Sequence, residues 1–151
     1  MVPVSLADMV ARADLVARVV VLEHRPRLTA DERKIETEYS VQLLEVLAGS
    51  RAVTPAQRVV VTTPGGKLDL AGRTVVMQAP DHPSLEDGRE YVLFLRPEPG
   101  RSVTGVVGGN QGAFVVDDGH VEQVAGEIRE SRGKLSLAAF KEEILQLAAA
   151  K

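Results

Sequence analysis

Apolar residues follow two different periods along the chain, and the N-terminal segment has the helical one. From Leu6 to Ala13 they recur at i, i+3, i+4 and i+7, the spacing of one helix face. Ser5 precedes this run, with Asp8 three residues on, which resembles a capping box. The pattern predicts a short amphipathic helix at the N-terminus.

The period then changes to that of β-strands. The stretch DLVARVVVLEH is β-branched and apolar on both faces apart from Arg18, as in a strand covered on both sides. We expect this strand to end at Pro26. The charged stretch RLTADERKIE that follows predicts a loop of about ten residues or a hairpin tip.

The next stretch, IETEYSVQL at 35–43, alternates between apolar odd positions and mostly polar even positions. The apolar set then moves to even positions at Leu44, Val46 and Ala48. A β-bulge near Leu43 and Leu44 explains the change, and bulges are how long strands bend around a barrel. The helical alternative for VQLLEVLAG stays open at this point.

Further strands and turns complete the pattern. Strands are predicted at 58–63, 74–78, 90–96, 102–108 and 112–117, with turns at TPGG (63–66), GGNQG (108–112) and DDGH (117–120). A last helix begins after Ser136, with an apolar stripe of Leu137, Phe140, Ile144 and Leu147. We interpret the stripe as a surface that packs on the sheet.

Short strands with a helix at each end and no strand–helix alternation predict a mainly β protein. We expect residues 1–151 to form one domain, a small antiparallel OB-like barrel with a short N-terminal helix and a C-terminal amphipathic helix. The bulged second strand and the glycines near 105–109 favour a barrel over a sandwich.

Composition and charge exclude several classes of function and site. The net charge of −3 and pI near 5.6 do not suit a nucleic-acid partner, which requires a basic surface. The chain has no cysteine, which excludes disulfides, thiol catalysis and cysteine-based zinc sites. No apolar run approaches the roughly 18 residues of a membrane span. No motif predicts a cofactor.

Candidate catalytic and metal-binding residues are few. His24, His82 and His120 have none of the spacings that direct two imidazoles to one metal, and the acidic turn Asp117–Asp118 is typical of a hairpin. The cluster PDHPSLED leaves one enzyme hypothesis open, a hydrolase or metal-dependent enzyme that uses Asp81, His82 and Ser84. No serine lies in a nucleophile motif.

Five segments resemble a family of uncharacterised bacterial proteins that are usually exported: ADLVARVVVLE, TEYSVQLLEVLAG, TTPGGKLDLAG, GREYVLFLRPEPG and GGNQGAFVV. The TPGG and QGxF motifs are the most characteristic, and the resemblance covers about residues 5–117. It implies a periplasmic or extracellular location after removal of a secretory signal, which the N-terminus of this chain lacks. In architecture alone the barrel is also similar to tissue inhibitors of metalloproteinases, whose inhibitory N-terminal cysteine is absent here.

The sequence therefore predicts a non-enzymatic module that binds another protein or a peptide, with peptidase inhibition as one form of binding. Loops at barrel ends are the usual sites of function. Loops 63–72 and 108–112 combine glycines with outward polar groups, and the predicted binding residues are Thr63, Lys67, Asp69, Asn110 and Gln111. The alternative, that Asn110 and Gln111 only satisfy backbone groups inside the turn, stays open.

Overall fold

The fold is built from ten strands and two helices in the part of the chain that the computed structural model describes, residues 5–49, 56–79, 82–97, 104–124 and 135–149. The elements in order are α1 (Leu6–Arg12), β1 (Leu15–Leu28), β2 (Ile35–Gly49), β3 (Arg58–Pro64), β4 (Gly66–Leu70), β5 (Arg73–Met77), β6 (Glu90–Pro97), β7 (Thr104–Val106), a 3-10 turn (Gly109–Gly112), β8 (Ala113–Asp117), β9 (His120–Gln123), β10 (Leu135–Ser136) and α2 (Leu137–Ala149).

Five strands close a barrel in the order β1-β2-β3-β7-β6, because β6 returns to pair with β1. The β3–β7 pair is parallel and the other pairs are antiparallel. The predicted OB-like barrel with a helix at each end is confirmed. Strands β8, β9 and β10 extend the sheet from β6, and β4 pairs with β5 in a separate two-stranded ribbon.

The β1–β2 pair carries the bulges that bend the barrel. The register moves from Val19↔Leu43 to Arg18↔Glu45, so Leu44 is the extra residue, and the predicted bulge is confirmed. A second shift leaves Leu47 unpaired. As a result Val46 packs into the barrel interior whereas Ala48 packs beneath the helices, so the prediction that they share one face is wrong.

Two apolar cores lie on opposite sides of the barrel wall. Strand β6 shows the division because its side chains alternate: Tyr91, Leu93 and Leu95 fill the interior, while Val92 and Phe94 face the helices. Both sets are at most 2% exposed. This double burial explains why the strand is apolar without alternation.

The helices cover the outer core. The Ser5 and Ser136 hydroxyls accept hydrogen bonds from the Asp8 and Ala139 amides at 3.1 and 3.0 Å, which caps both helices as predicted. Phe140 and Ile144 of α2 are fully buried, so the predicted docking of the stripe is confirmed. None of the described helices is long and apolar enough to cross a membrane.

Two predicted boundaries are wrong. Strand β1 continues through Pro26, which pairs with Thr37. Because β6 pairs with β1 only as far as Val20, no described strand pairs with the other edge of β1 at Pro26, and the missing N–H is tolerated. Of the two alternatives for 27–36, the hairpin tip is confirmed: a turn closed by the Thr29 amide and the Lys34 carbonyl at 2.8 Å joins β1 to β2. The loop predicted at 63–72 contains strand β4.

Candidate binding groove

The TPGG segment joins the barrel to the ribbon. Thr63 and Pro64 end β3, and Gly66 begins β4. The Thr37 hydroxyl donates a hydrogen bond of 2.8 Å to the Gly65 carbonyl. A Cβ at Gly66 would lie 2.5 Å from that hydroxyl oxygen, at a φ of +147°. Only glycine fits this junction, because the chain must pass close against β2 before it enters the ribbon.

A groove of about 530 Å³ opens where the ribbon leaves the barrel. The ribbon provides Lys67, Val76 and Met77 on one side, and the 82–85 segment lies along another. Tyr39 and Thr63 come from the barrel strands. Val76 is the most exposed of the large apolar side chains described, at 58%, so the groove combines polar groups with apolar surface in contact with water.

The 82–88 segment is fixed to the barrel by two buried tyrosines. The Tyr39 hydroxyl accepts a hydrogen bond from the Leu85 amide at 3.2 Å, and the Tyr91 hydroxyl accepts one from the Glu86 amide at 2.9 Å. Burial raises the pKa of the Tyr91 phenol above its ordinary value. The two tyrosine hydroxyls therefore hold the backbone of the segment. The Leu85 side chain, which is 5% exposed, also packs in the interior core.

A histidine–carboxylate pair also connects the segment to β1. His24 Nδ1 lies 2.9 Å from Asp87 Oδ1, and both side chains are about half exposed. The imidazole ring of His24 is 6.3 Å from the Tyr39 ring, centroid to centroid. His24 thus lies in the groove wall with one nitrogen already occupied by a carboxylate.

Of the five residues predicted to bind a partner, two line the groove. Lys67 is exposed, as predicted, whereas Thr63 is only 3% exposed, so the prediction that Thr63 faces outward is wrong. Asp69 is also exposed, further along the ribbon, and its carboxylate accepts a hydrogen bond of 2.7 Å from the Thr74 hydroxyl. These three residues belong to the β3–β4 part of the chain.

The other two predicted residues lie in the 3-10 turn at Gly109–Gly112, among β6, β7, β8 and β9. Gln111 is 1% exposed, and its carbonyl accepts a hydrogen bond of 3.1 Å from the Gln123 amide side chain. The prediction that Gln111 faces outward is therefore wrong. Gln111 is not among the described residues that line the groove, and the side chain of Asn110 lies outside the described part of the structure.

The residues of the enzyme hypothesis are only partly described. Asp81 lies outside the described residues, whereas His82 and Ser84 are exposed and line the groove. His120 forms a turn contact of 3.0 Å between its Nδ1 and the Asp118 carbonyl. Among the described residues, no group of three His, Asp or Glu side chains is placed to hold a metal ion.

Four residues that line the groove were not predicted from the sequence: His24, Tyr39, Val76 and Met77. One signal was available: TVVM places adjacent valines on both faces of a strand next to a charged, glycine-rich partner, which is unusual for a buried strand. His24 and Tyr39 gave no such signal, because their approach to the groove depends on the pairing of β1 with β2.

Comparison with known proteins gives no family for this chain. No protein-family model matches the sequence, and a search of curated proteins finds no significant match.

Proposed function

We propose that this protein is a non-enzymatic binding module that holds an extended segment of another protein in the groove at the base of the ribbon. The observation that carries the proposal is the exposed Val76 side chain of β5 beside that groove. Val76 lines the groove and is 58% exposed. Val75 projects from the opposite face of the strand and is 40% exposed. Exposed apolar side chains next to a concave, partly polar surface are typical of interaction sites.

The backbone of the ribbon supports an extended ligand. Within the described chain, β5 pairs with β4 alone, so its second edge has N–H and C=O groups that no described strand uses. An incoming strand can add to such an edge and gain main-chain hydrogen bonds, while pockets beside the edge select its side chains. The groove beside Val76 and Met77 provides such a pocket.

The groove is also built on rigid supports. The Thr37–Gly65 hydrogen bond holds one side, and the two tyrosine–amide hydrogen bonds hold the other. A preformed site loses less conformational entropy on binding than a loop that must become ordered. This favours binding by a fixed surface.

The proposal also covers the cellular location of the protein and one specific form of binding, the inhibition of a peptidase. A periplasmic or extracellular location, taken from the resemblance to exported proteins, would make the partner another exported protein. Inhibition of a peptidase is one form of such binding, in which the extended segment held by the groove belongs to the peptidase. Fractionation of the producing cells checks the location.

Selection from a random peptide display library tests the binding function. Peptides enriched on the wild-type protein should lose binding to a Val76→Asp variant and keep it on Leu145→Asp, a matched change at a side chain of α2 that is 50% exposed. Melting temperatures of both variants are measured first. Selected peptides that bind all three proteins equally would contradict the proposal.

A hydrolase is the second candidate, because His24, His82 and Ser84 line the same groove and His24 already contacts a carboxylate. Nucleophile, base and orienting carboxylate are the parts of a triad. In a screen of ester and peptide substrates, a hydrolase would show turnover that Ser84→Ala abolishes. Turnover that survives Ser84→Ala would exclude this serine as the nucleophile.

A further inference from the structure

We propose that the segment held by the groove is acidic, with a carboxylate that pairs with Lys67 and an apolar side chain that packs on Val76. This inference rests on the proposed binding function and specifies the chemistry of the ligand. Lys67 and Val76 are directly opposite each other in the β4–β5 register. Opposite residues of an antiparallel pair project from the same face, so one extended ligand meets both.

The charges that line the groove are complementary to an anion. Lys67 is the only lysine or arginine among the described lining residues, which include no aspartate or glutamate. The overall charge of the chain is −3, so this surface differs in sign from the average of the protein. Electrostatic complementarity of this kind selects partners and orients them.

Three carboxylates near the groove already have partners: Asp87 lies 2.9 Å from His24, Glu36 lies 3.0 Å from Arg27, and Glu86 lies 3.3 Å from Arg89. Asp69, two residues from Lys67 on the same face of β4, accepts a hydrogen bond from the Thr74 hydroxyl. Lys67 has no acidic partner among the described residues. An acidic ligand would provide one without displacing an existing ion pair.

The apolar contact sets the spacing of the ligand. Side chains of an extended peptide alternate between two faces, so residues two apart reach the same surface. In a ligand strand added along β5, side chains at positions i and i+2 lie on the face shared by Val76 and Lys67. One of them packs on Val76, and the long Lys67 side chain extends across that face toward a carboxylate two positions away. Acidic and apolar side chains that alternate along one face of the ligand are the expected pattern.

Three labelled nine-residue peptides test the inference by fluorescence anisotropy. They have threonine at every even position and alternate valine with a variable residue at the odd positions, so that the variable residue, which is Glu, Gln or Lys at positions 3 and 7, shares a face with valine. At low salt the Glu peptide should bind the wild-type protein about threefold to fivefold more tightly than the Gln peptide, the range of an exposed ion pair. Salt should reduce the difference.

Variants at Lys67 test the preference for an acidic peptide separately from binding in the groove. Lys67→Arg should keep the preference for the Glu peptide, Lys67→Gln should remove it, and Lys67→Glu should make the Lys peptide the tightest. If the three peptides bind equally and Val76→Asp weakens all of them, the acidic preference is wrong and the groove function stands. If none of them binds, or if self-association of the chain occupies the groove, the inference and the binding function are both overturned.

Discussion

The two glycine segments of this protein have similar compositions and opposite environments. TPGG ends a barrel strand and leads into a ribbon with exposed valines, beside an open groove. GGNQG forms a 3-10 turn among four strands, and its glutamine is buried. The outer core beside this second segment contains Phe94, Phe114 and Phe140 and is covered by both helices. Glycine content therefore indicates where the chain turns, and the neighbouring elements decide whether the turn is a surface.

The difference arises from what each segment must fit against. Gly112 lies so close to the Val107 carbonyl that an added Cβ would collide with it. Gly66 approaches a side chain instead: its added Cβ would lie 2.5 Å from the Thr37 hydroxyl oxygen. Gly112 therefore lies where backbone packs on backbone, whereas Gly66 lies at the edge of the open groove. We call the part with the GGNQG turn and the outer core the helix-covered side, and the part with the TPGG segment and the groove the groove side. We expect substitutions on the helix-covered side to reduce stability, and substitutions on the groove side to alter binding.

Removal of the central aromatic ring of the helix-covered side should have the largest effect. Phe140 is fully buried, 4.7 Å from the Phe114 ring and 6.4 Å from the Phe94 ring, centroid to centroid. Phe140→Ala should lower the free energy of unfolding by about 4 kcal/mol, from lost apolar contacts and the cavity that remains. Urea denaturation measures this. A loss below 1 kcal/mol would mean that α2 does not stabilise the barrel.

The second largest effect is expected for Gly112→Ala. It should lower the free energy of unfolding by about 3 kcal/mol, because the new methyl group forces the backbone of the turn to move. Gly119→Ala is the matched control. Its Cβ meets nothing within 4 Å, so the left-handed backbone should cost only about 1 kcal/mol. Equal losses at the two positions would contradict the packing difference between the segments.

On the groove side, Gly66→Ala should lower the free energy of unfolding by about 2 kcal/mol, because φ +147° is strained for any residue with a Cβ and the new Cβ meets the Thr37 hydroxyl. It should also weaken peptide binding, since the ribbon must shift relative to β2. Binding is compared at a temperature where the variant is fully folded. If stability falls and peptide affinity does not change, the junction does not position the groove.

The fold follows from the sequence more fully than the site does. Local periods are sufficient to predict the capped helices, the bulge near Leu44 and the docking of the α2 stripe. Strand β4 was missed because KLDL is short and charged and begins at a double glycine, which reads as a loop. Burial of Gln111 was missed for another reason: it depends on the strands that surround the turn, and an amide side chain beside glycines has the same local pattern on a surface.

The groove was harder to predict because its residues come from separate elements. Thr63 and Lys67 were found through their nearness to TPGG. His24 and Tyr39 reach the groove only through the pairing of two long strands, and Ser84 only because tyrosine hydroxyls hold the segment after the ribbon. Contacts between distant parts of the chain leave no signature in local periodicity.

A smaller effect is expected at Tyr91, whose hydroxyl holds the 82–88 segment beside the groove. Tyr91→Phe should lower the free energy of unfolding by about 1 kcal/mol, since the Glu86 amide loses its hydrogen-bond acceptor. Because burial raises the pKa of Tyr91, the neutral phenol stabilises the folded state below the ordinary pKa of about 10, and this contribution is lost as the pH rises through the folded value. Urea denaturation at pH 8 and pH 11 should show a smaller alkaline loss for Tyr91→Phe than for the wild type. An identical alkaline loss would contradict this role.

The most direct test of the contrast between the two glycine segments is a nitrogen–proton correlation spectrum recorded during titration with the Glu peptide. The largest shifts should occur at amides of residues 65–67, 76–79 and 84–85, with little change at 107–112 and in α2. Largest shifts at 107–112, or along α2, would show that the ligand surface is on the helix-covered side and would contradict the account.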